Sequence, residues 1–192
     1  MKSELLEFLL SFPSLKEEEA KEIAEIITVR TFKKGTVLLK EGQIDDKCYF
    51  VLKGCIRRYS IIDGEEKTTS FFTEKQAVIS ITTYTKQLPS NHYLCCIEDS
   101  IVIESNYEEE QGMYQEYPKL EAITRTMMEQ NYSKTQENFE SFIISSPEKR
   151  YINLLKNRSE LLNRVPQHQI ASYLGMAPES LSRIRKRIFS KK

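Results

Sequence analysis

The sequence predicts an α+β protein: an N-terminal antiparallel β-roll (jelly roll) flanked by helices, a long central helix, and a C-terminal helical domain built on a helix-turn-helix. Three observations lead there. About eight short runs rich in β-branched and aromatic residues succeed one another between residues 28 and 104, punctuated by turn signals. Residues 117–142 then carry apolar side chains at helical spacing. Residues 165–188 read as two short helices hinged at a glycine, the second ending in a run of cations. The division that follows is a β-roll over 1–115, a long helix over 116–146 and a helix-turn-helix domain over 147–192.

Each element has a local reason. Residues 2–11 and 15–27 are predicted helical: Leu5, Leu6, Leu9 and Leu10 form one apolar face, and Ser14 with Glu17 makes a capping box. The strands are expected at 28–32, 36–40, 48–52, 55–62, 67–72, 77–81, 92–97 and 101–104, with breaks such as Lys53-Gly54 and Asp63-Gly64 that suit hairpins. In the long helix Leu120, Ile123, Met127, Phe139 and Phe142 are apolar, while Gln130, Asn131, Ser133 and Thr135 dilute the middle. That pattern fits either a dimer seam or a helix lying across its own barrel. Ser146-Pro147 opens the last domain, whose first helix, 148–156, offers Tyr151, Ile152, Leu154 and Leu155 as core.

Within the helix-turn-helix, Ile170, Ala171 and Leu174 face inward and Gly175 supplies the left-handed residue of the turn. Pro178 begins the second helix, where its missing N–H costs nothing. Leu181, Ile184 and Ile188 form that helix's inner stripe, leaving Glu179, Ser180 and Arg183 outward near its N-terminus, where helices of this kind read bases in the major groove. An arginine grips a guanine edge with two hydrogen bonds, and a glutamate accepts one from cytosine. The competing reading is an ordinary surface helix with an i,i+4 Glu179–Arg183 ion pair. Charge favours the first: residues 147–192 hold 11 Lys or Arg against 3 Asp or Glu, a net +8, while the other 146 residues carry −8. The basic end calls for a polyanion, double-stranded DNA.

Composition narrows the alternatives. No apolar run approaches the roughly 18 residues of a membrane span, and the start reads as acid-rich rather than as a signal peptide, so a cytoplasmic protein is expected. Cys48, Cys55, Cys95 and Cys96 lack metal-ligand spacing and read as buried reduced thiols rather than an iron–sulfur or redox sensor. A cupin-like β-roll enzyme or small-molecule binder with a basic interaction tail would want several imidazoles on one inner face. Only His92 and His168 exist, one in each half, so no catalytic or metal-binding residues are assigned. An interaction module meeting RNA or an acidic protein is a further rival, distinguished by its indifference to duplex sequence.

Three stretches carry a family resemblance: residues 32–42 with Lys34-Gly35 and Glu41-Gly42, residues 49–57 with Phe50-Val51-Leu52-Lys53-Gly54, and Glu179-Ser180-Leu181-Ser182-Arg183-Ile184. Together with the element order they resemble the Crp/Fnr family of bacterial transcription regulators. The resemblance implies base contacts by Glu179 and Arg183 with Ser180 beside them, a homodimer, and contact with RNA polymerase. Pro178 stands where the family often has a further arginine, so the operator is expected to differ. Gln167, His168, Arg185, Lys186, Arg187 and Lys191 are expected to serve phosphates, a salt-sensitive and sequence-blind contribution. A β-roll of this family binds cyclic nucleotide through a Gly-Glu pair and an arginine. Here residues 72–92 contain no glycine, and Ser90 and Asn91 stand where the arginine would fall. Each lost charge-assisted bond costs roughly 1.5–3 kcal/mol, so no cofactor is expected and cAMP binding is not. Thr82, Thr83, Tyr84, Ser90, Asn91 and His92 make a polar set that either lines a pocket for another effector or is a solvated loop.

Overall fold

The computed structural model describes residues 2–44, 46–79, 84, 86 and 88–190. Two helices, α1 (Lys2–Leu10) and α2 (Glu17–Ile26), precede eight strands: β1 (Val29–Phe32), β2 (Val37–Leu39), β3 (Cys48–Lys53), β4 (Ile56–Ile62), β5 (Glu65–Phe72), β6 (Ala77–Val78), β7 (Tyr93–Cys96) and β8 (Ser100–Ser105). Six helices follow: α3 (Tyr107–Glu116), α4 (Pro118–Ile144), α5 (Pro147–Asn157), α6 (Leu161–Arg164), α7 (Gln167–Tyr173) and α8 (Pro178–Phe189). The α+β class and the order of its parts are as the sequence predicts. Thr82, Thr83 and Lys191, named above, lie outside the described residues.

The strands form two antiparallel sheets of four, in the orders β1-β8-β3-β6 and β2-β7-β4-β5. Alternation on each strand sends one set of side chains between the sheets. Leu39, Tyr49, Val51, Ile56, Val78, Leu94, Cys96 and Val102 meet there as a buried core. The tight β4–β5 hairpin turns on Asp63 (φ 53°) and Gly64 (φ 78°), the two positive φ angles that a type I′ turn requires.

The helical edges depart from expectation in places. Ser14 is not the cap of α2; Glu19 reaches back to accept from the Lys16 N–H, at 3.5 Å, two residues later than the expected box. Helix α3 was not foreseen, because Tyr107–Glu116 has no apolar period; an Asn106/Glu109 capping box starts it instead. Helix α4 differs along its length, its first half lying across the roll as one reading expects. Leu120, Ile123, Thr124, Met127, Met128 and Asn131 form a buried or half-buried stripe, and from Tyr132 to Glu140 every residue is exposed.

Candidate nucleic-acid interface

The helix-turn-helix is built by the chemistry the sequence supplies. At the end of α7, Met176 N–H donates to Ala171 O at 3.0 Å and Gly175 N–H to Ser172 O at 3.0 Å, the paired bonds of a Schellman stop. Gly175 sits at φ +67°, and a Cβ there would lie 3.1 Å from both the Arg150 guanidinium and the Phe142 ring. Leu181 and Ile184 of α8 are buried with Ile170, Ala171, Leu174, Tyr151 and Leu154 in one core, while Ile152 and Leu155 of α5 are only half-buried. Opposite that core, Glu179 and Arg183 are exposed and Ser180 half-buried. Arg183 donates to Ser180 Oγ at 3.4 Å, and among the described residues it forms no ion pair with Glu179. Both charged tips therefore remain presented on the first turns of α8.

The residues expected at phosphates are distributed unevenly. Gln167, His168 and Lys186 are exposed and Arg185 is half-buried. Arg187 is exposed but already donates to Glu148 at 2.5 Å, which neutralises it within the domain.

What positions this surface was invisible in the sequence. Arg164, at the end of α6, donates to Gly54 O at 2.8 Å, Glu74 at 2.8 and 2.9 Å and Glu98 at 2.5 Å, so one guanidinium clamps the helical domain to three turns of the β-roll, β3–β4, β5–β6 and β7–β8. Burial works to raise the Glu74 carboxyl, but hydrogen bonds from Arg164 and the Gly54 N–H outweigh it and hold it below the usual range. Arg158 donates to Phe71 O at 2.8 Å and Thr73 Oγ1 at 3.1 Å. Ser172 of α7 accepts from Thr68 N–H at 2.9 Å and donates to Glu66 O at 3.1 Å, covering the exposed edge of β5. Phe71 packs edge-on against Tyr173, and Cys55, Phe71 and Ile97 of the roll belong to the same buried cluster as the helix-turn-helix core. Arg150 ties the other side: it stacks 3.7 Å over Phe142 of α4 and donates to Phe142 O and Leu174 O.

The expected polar set in the roll does not gather into one site among the described residues. Ser90 is buried but its hydroxyl is spent on its own loop, donating to His92 O and accepting from His92 N–H. Asn91 is exposed. His92 is buried, and burial with the nearby Arg58 charge lowers its imidazole to about 4, so it is neutral at physiological pH. Tyr84 instead packs against Tyr107 of α3, away from His92; its phenol is raised by burial and by the Glu110 carboxylate. Arg58 is a cation on the inner face of β4: it shares that face with its cross-strand partner Leu94, lies over the Phe72 ring at 5.0 Å and donates to Ile79 O at 3.0 Å. The alternation Ile56, Arg58 along β4 was the signal that would have found it.

Burial pushes the Cys55 thiol up to about 12 and Cys96 to about 11, and raises Cys95 as well. These are protonated, weakly nucleophilic thiols at neutral pH. Among the described residues no three His, Cys, Asp or Glu side chains come together as metal ligands, and no helix is long and apolar enough to cross a membrane.

The architecture is thus a two-sheet roll joined by a long helix to a helix-turn-helix whose Glu179 and Arg183 face is exposed. Residues 29–117 match the cyclic nucleotide-binding domain family. Over 184 residues the chain is 25% identical to the transcriptional activator protein Anr of Pseudomonas protegens, covering 89% of this chain and 75% of that one. It is 26% identical over 188 residues to an anaerobic regulatory protein of Pasteurella multocida, covering 91% and 68%. The fold superposes on the c-di-GMP-responsive global regulator CLP of Xanthomonas campestris with a TM-score of 0.70 at 15% identity, over 89% of this chain and 90% of that one. In sequence and in fold the chain is similar to transcription regulators of the Crp/Fnr type.

Proposed function

We propose that this regulator binds a two-fold-symmetric duplex site as a homodimer, with α8 of each protomer in the major groove. The observation that carries the reading is the exposure of Glu179 and Arg183 on the first turns of α8, on a helix whose other face is locked in a core. Arg183 takes the guanine contact, Glu179 accepts from cytosine, and Ser180 holds the arginine. Gln167, His168, Arg185 and Lys186 are the phosphate set, with Lys191 beyond the described residues and Arg187 released to phosphate only if it leaves Glu148. The exposed half of α4, with Tyr132, Phe139, Ile143 and Ile144 turned to solvent, supports dimerisation through that helix. The family resemblance adds RNA polymerase as the partner that reads the bound state, in keeping with a non-catalytic role.

The test is selection of genomic fragments by the purified protein without added ligand, at near-physiological salt. Recovery of an inverted repeat with half-sites about 34 Å apart supports the reading. Replacing Arg183 with Ala should cost about 1–3 kcal/mol at its base pair and relax preference there. Retention of full preference would refute the assignment.

We also infer that the roll does not hold cAMP. The apolar filling between the sheets and the commitment of Arg58 to Ile79 O support this, alongside the absent glycine-glutamate and arginine pattern. Calorimetric titration with cAMP and cGMP checks it, and micromolar binding of either would overturn it.

A further inference from the structure

The outer face of the β1-β8-β3-β6 sheet is packed less completely than the inner one. Tyr49, Val51, Val78 and Val102, facing the roll interior, are at most 5% exposed. Their alternates Phe50, Ala77 and Ile103 are only half-buried, although α1, α3 and α4 cover that side. Between sheet and helices lies a cavity of about 150 Å³. Folded interiors are otherwise filled to the density of organic crystals, so a gap of this size is a ligand-sized feature.

Its lining specifies the chemistry. Phe8, Phe50, Ala77, Met113, Ile123 and Met127 make the walls apolar and, through the methionines, adaptable in shape. Ser105, Tyr114, Thr124 and Asn131 add polar groups to the lining, and its carboxylate is Glu110, on α3, whose Oε1 accepts from Ser105 Oγ at 2.8 Å. A carboxylate offers about four lone-pair sites, so it has capacity for a further donor. Cavities of about this volume with apolar walls take up single-ring molecules. We propose that this cavity is a binding site for a small aromatic molecule bearing an N–H or O–H group, with the ring among the Phe and Met side chains and the donor on Glu110. The carboxylate discriminates against anions of the same shape. The site lies outside the roll, so it is distinct from any ligand position between the sheets. It is also distinct from the seam proposed for dimerisation, because the α4 residues that line it end at Asn131 and the exposed face starts at Tyr132. Ile123 and Met127 belong to the helix that leads to the DNA-reading domain, so an occupant braces that helix.

The probe is indole, whose emission is readable directly because the chain has no tryptophan. Added to the full-length protein, indole should bind saturably with its emission shifted to shorter wavelength, and benzoate should not displace it. Filling the cavity by Ala77→Phe, or by the smaller Ala77→Leu if the first does not fold by circular dichroism, should weaken indole at least tenfold. Glu110→Leu should weaken indole about tenfold while leaving toluene, which has no donor, as effective a competitor as before. Absence of saturable binding, equal competition by benzoate, or binding untouched by the filling variants would each overturn the proposal. None of these outcomes depends on whether the protein binds DNA.

Discussion

At the residue scale, Gly54 and His92 show how single positions carry more than their own stability. Gly54 adopts φ +114°, and a Cβ there would meet Ser100 Oγ at 2.3 Å and its Cα at 2.7 Å. The same residue donates to Glu74 and accepts from Arg164, so it cannot move aside without loosening the interdomain clamp. Gly54→Ala should lower stability by about 2–4 kcal/mol in urea denaturation, backbone strain and overpacking adding. His92 gives a pH dependence with a defined sign. Its folded value of about 4 lies below the ordinary 6.5, so the unfolded chain binds the extra proton between those values. Stability contributed by the neutral ring is therefore present above pH 6.5 and is lost as pH falls toward 4, by up to about 3 kcal/mol. His92→Gln should flatten that part of the stability profile relative to wild type; parallel profiles would show that the imidazole titrates freely. The outward placement of Glu179 and Arg183 was legible in the sequence because they stand one and five residues after Pro178, which starts the helix, and opposite an apolar stripe. Arg58 and Arg164 were not, since nothing local marks a charged side chain that a distant strand or turn will satisfy.

At the scale of elements, the strand pattern between residues 28 and 104 was readable because the runs are rich in β-branched and aromatic residues and every turn between strands except 73–76 carries Gly, Asp or Pro. Helix α3 escaped because a helix held by its capping box and its neighbours needs no apolar period of its own. The junction between α6 and the roll depends on one side chain. Arg164→Ala leaves Glu74 and Glu98 without their guanidinium at a partly buried boundary and should cost about 1–3 kcal/mol. Its effect on DNA should be a loss of affinity with unchanged base preference, because it orients α8 without touching bases. A double-mutant cycle with Glu98→Ala measures the coupling; strict additivity would show that the pair does not hold the domains together. Lysine at this position should rescue poorly, since one ammonium cannot reproduce the fork.

At the scale of the whole molecule, a +8 C-terminal domain is fastened to a −8 remainder, which keeps the protein neutral overall while presenting one cationic face. The helix that joins them does two jobs along its length: its first half packs on the roll, and its second half leaves Phe139 65%, Ile143 61% and Ile144 83% exposed. Replacing Phe139 and Ile143 together with Glu should give a monomer by sedimentation with unchanged helical content, and should weaken a two-half-site duplex by about a hundredfold or more. A dimer that survives both charges would place the seam elsewhere. By itself the sequence determined the parts: the strands, the glycine-hinged helix pair, the outward Glu179 and Arg183 and the charge division, all of which rest on the local run of the chain. Only the tertiary structure decided how the parts meet. The Arg164 clamp on Glu74, Glu98 and Gly54, the Ser172 bridge to β5, the Arg58 guanidinium on Ile79 O and the cavity beneath α4 each join residues that lie far apart in the chain or on separate elements. Hydrogen bonds and packing of that kind have no period and no local propensity, so they come into existence only when the chain has folded.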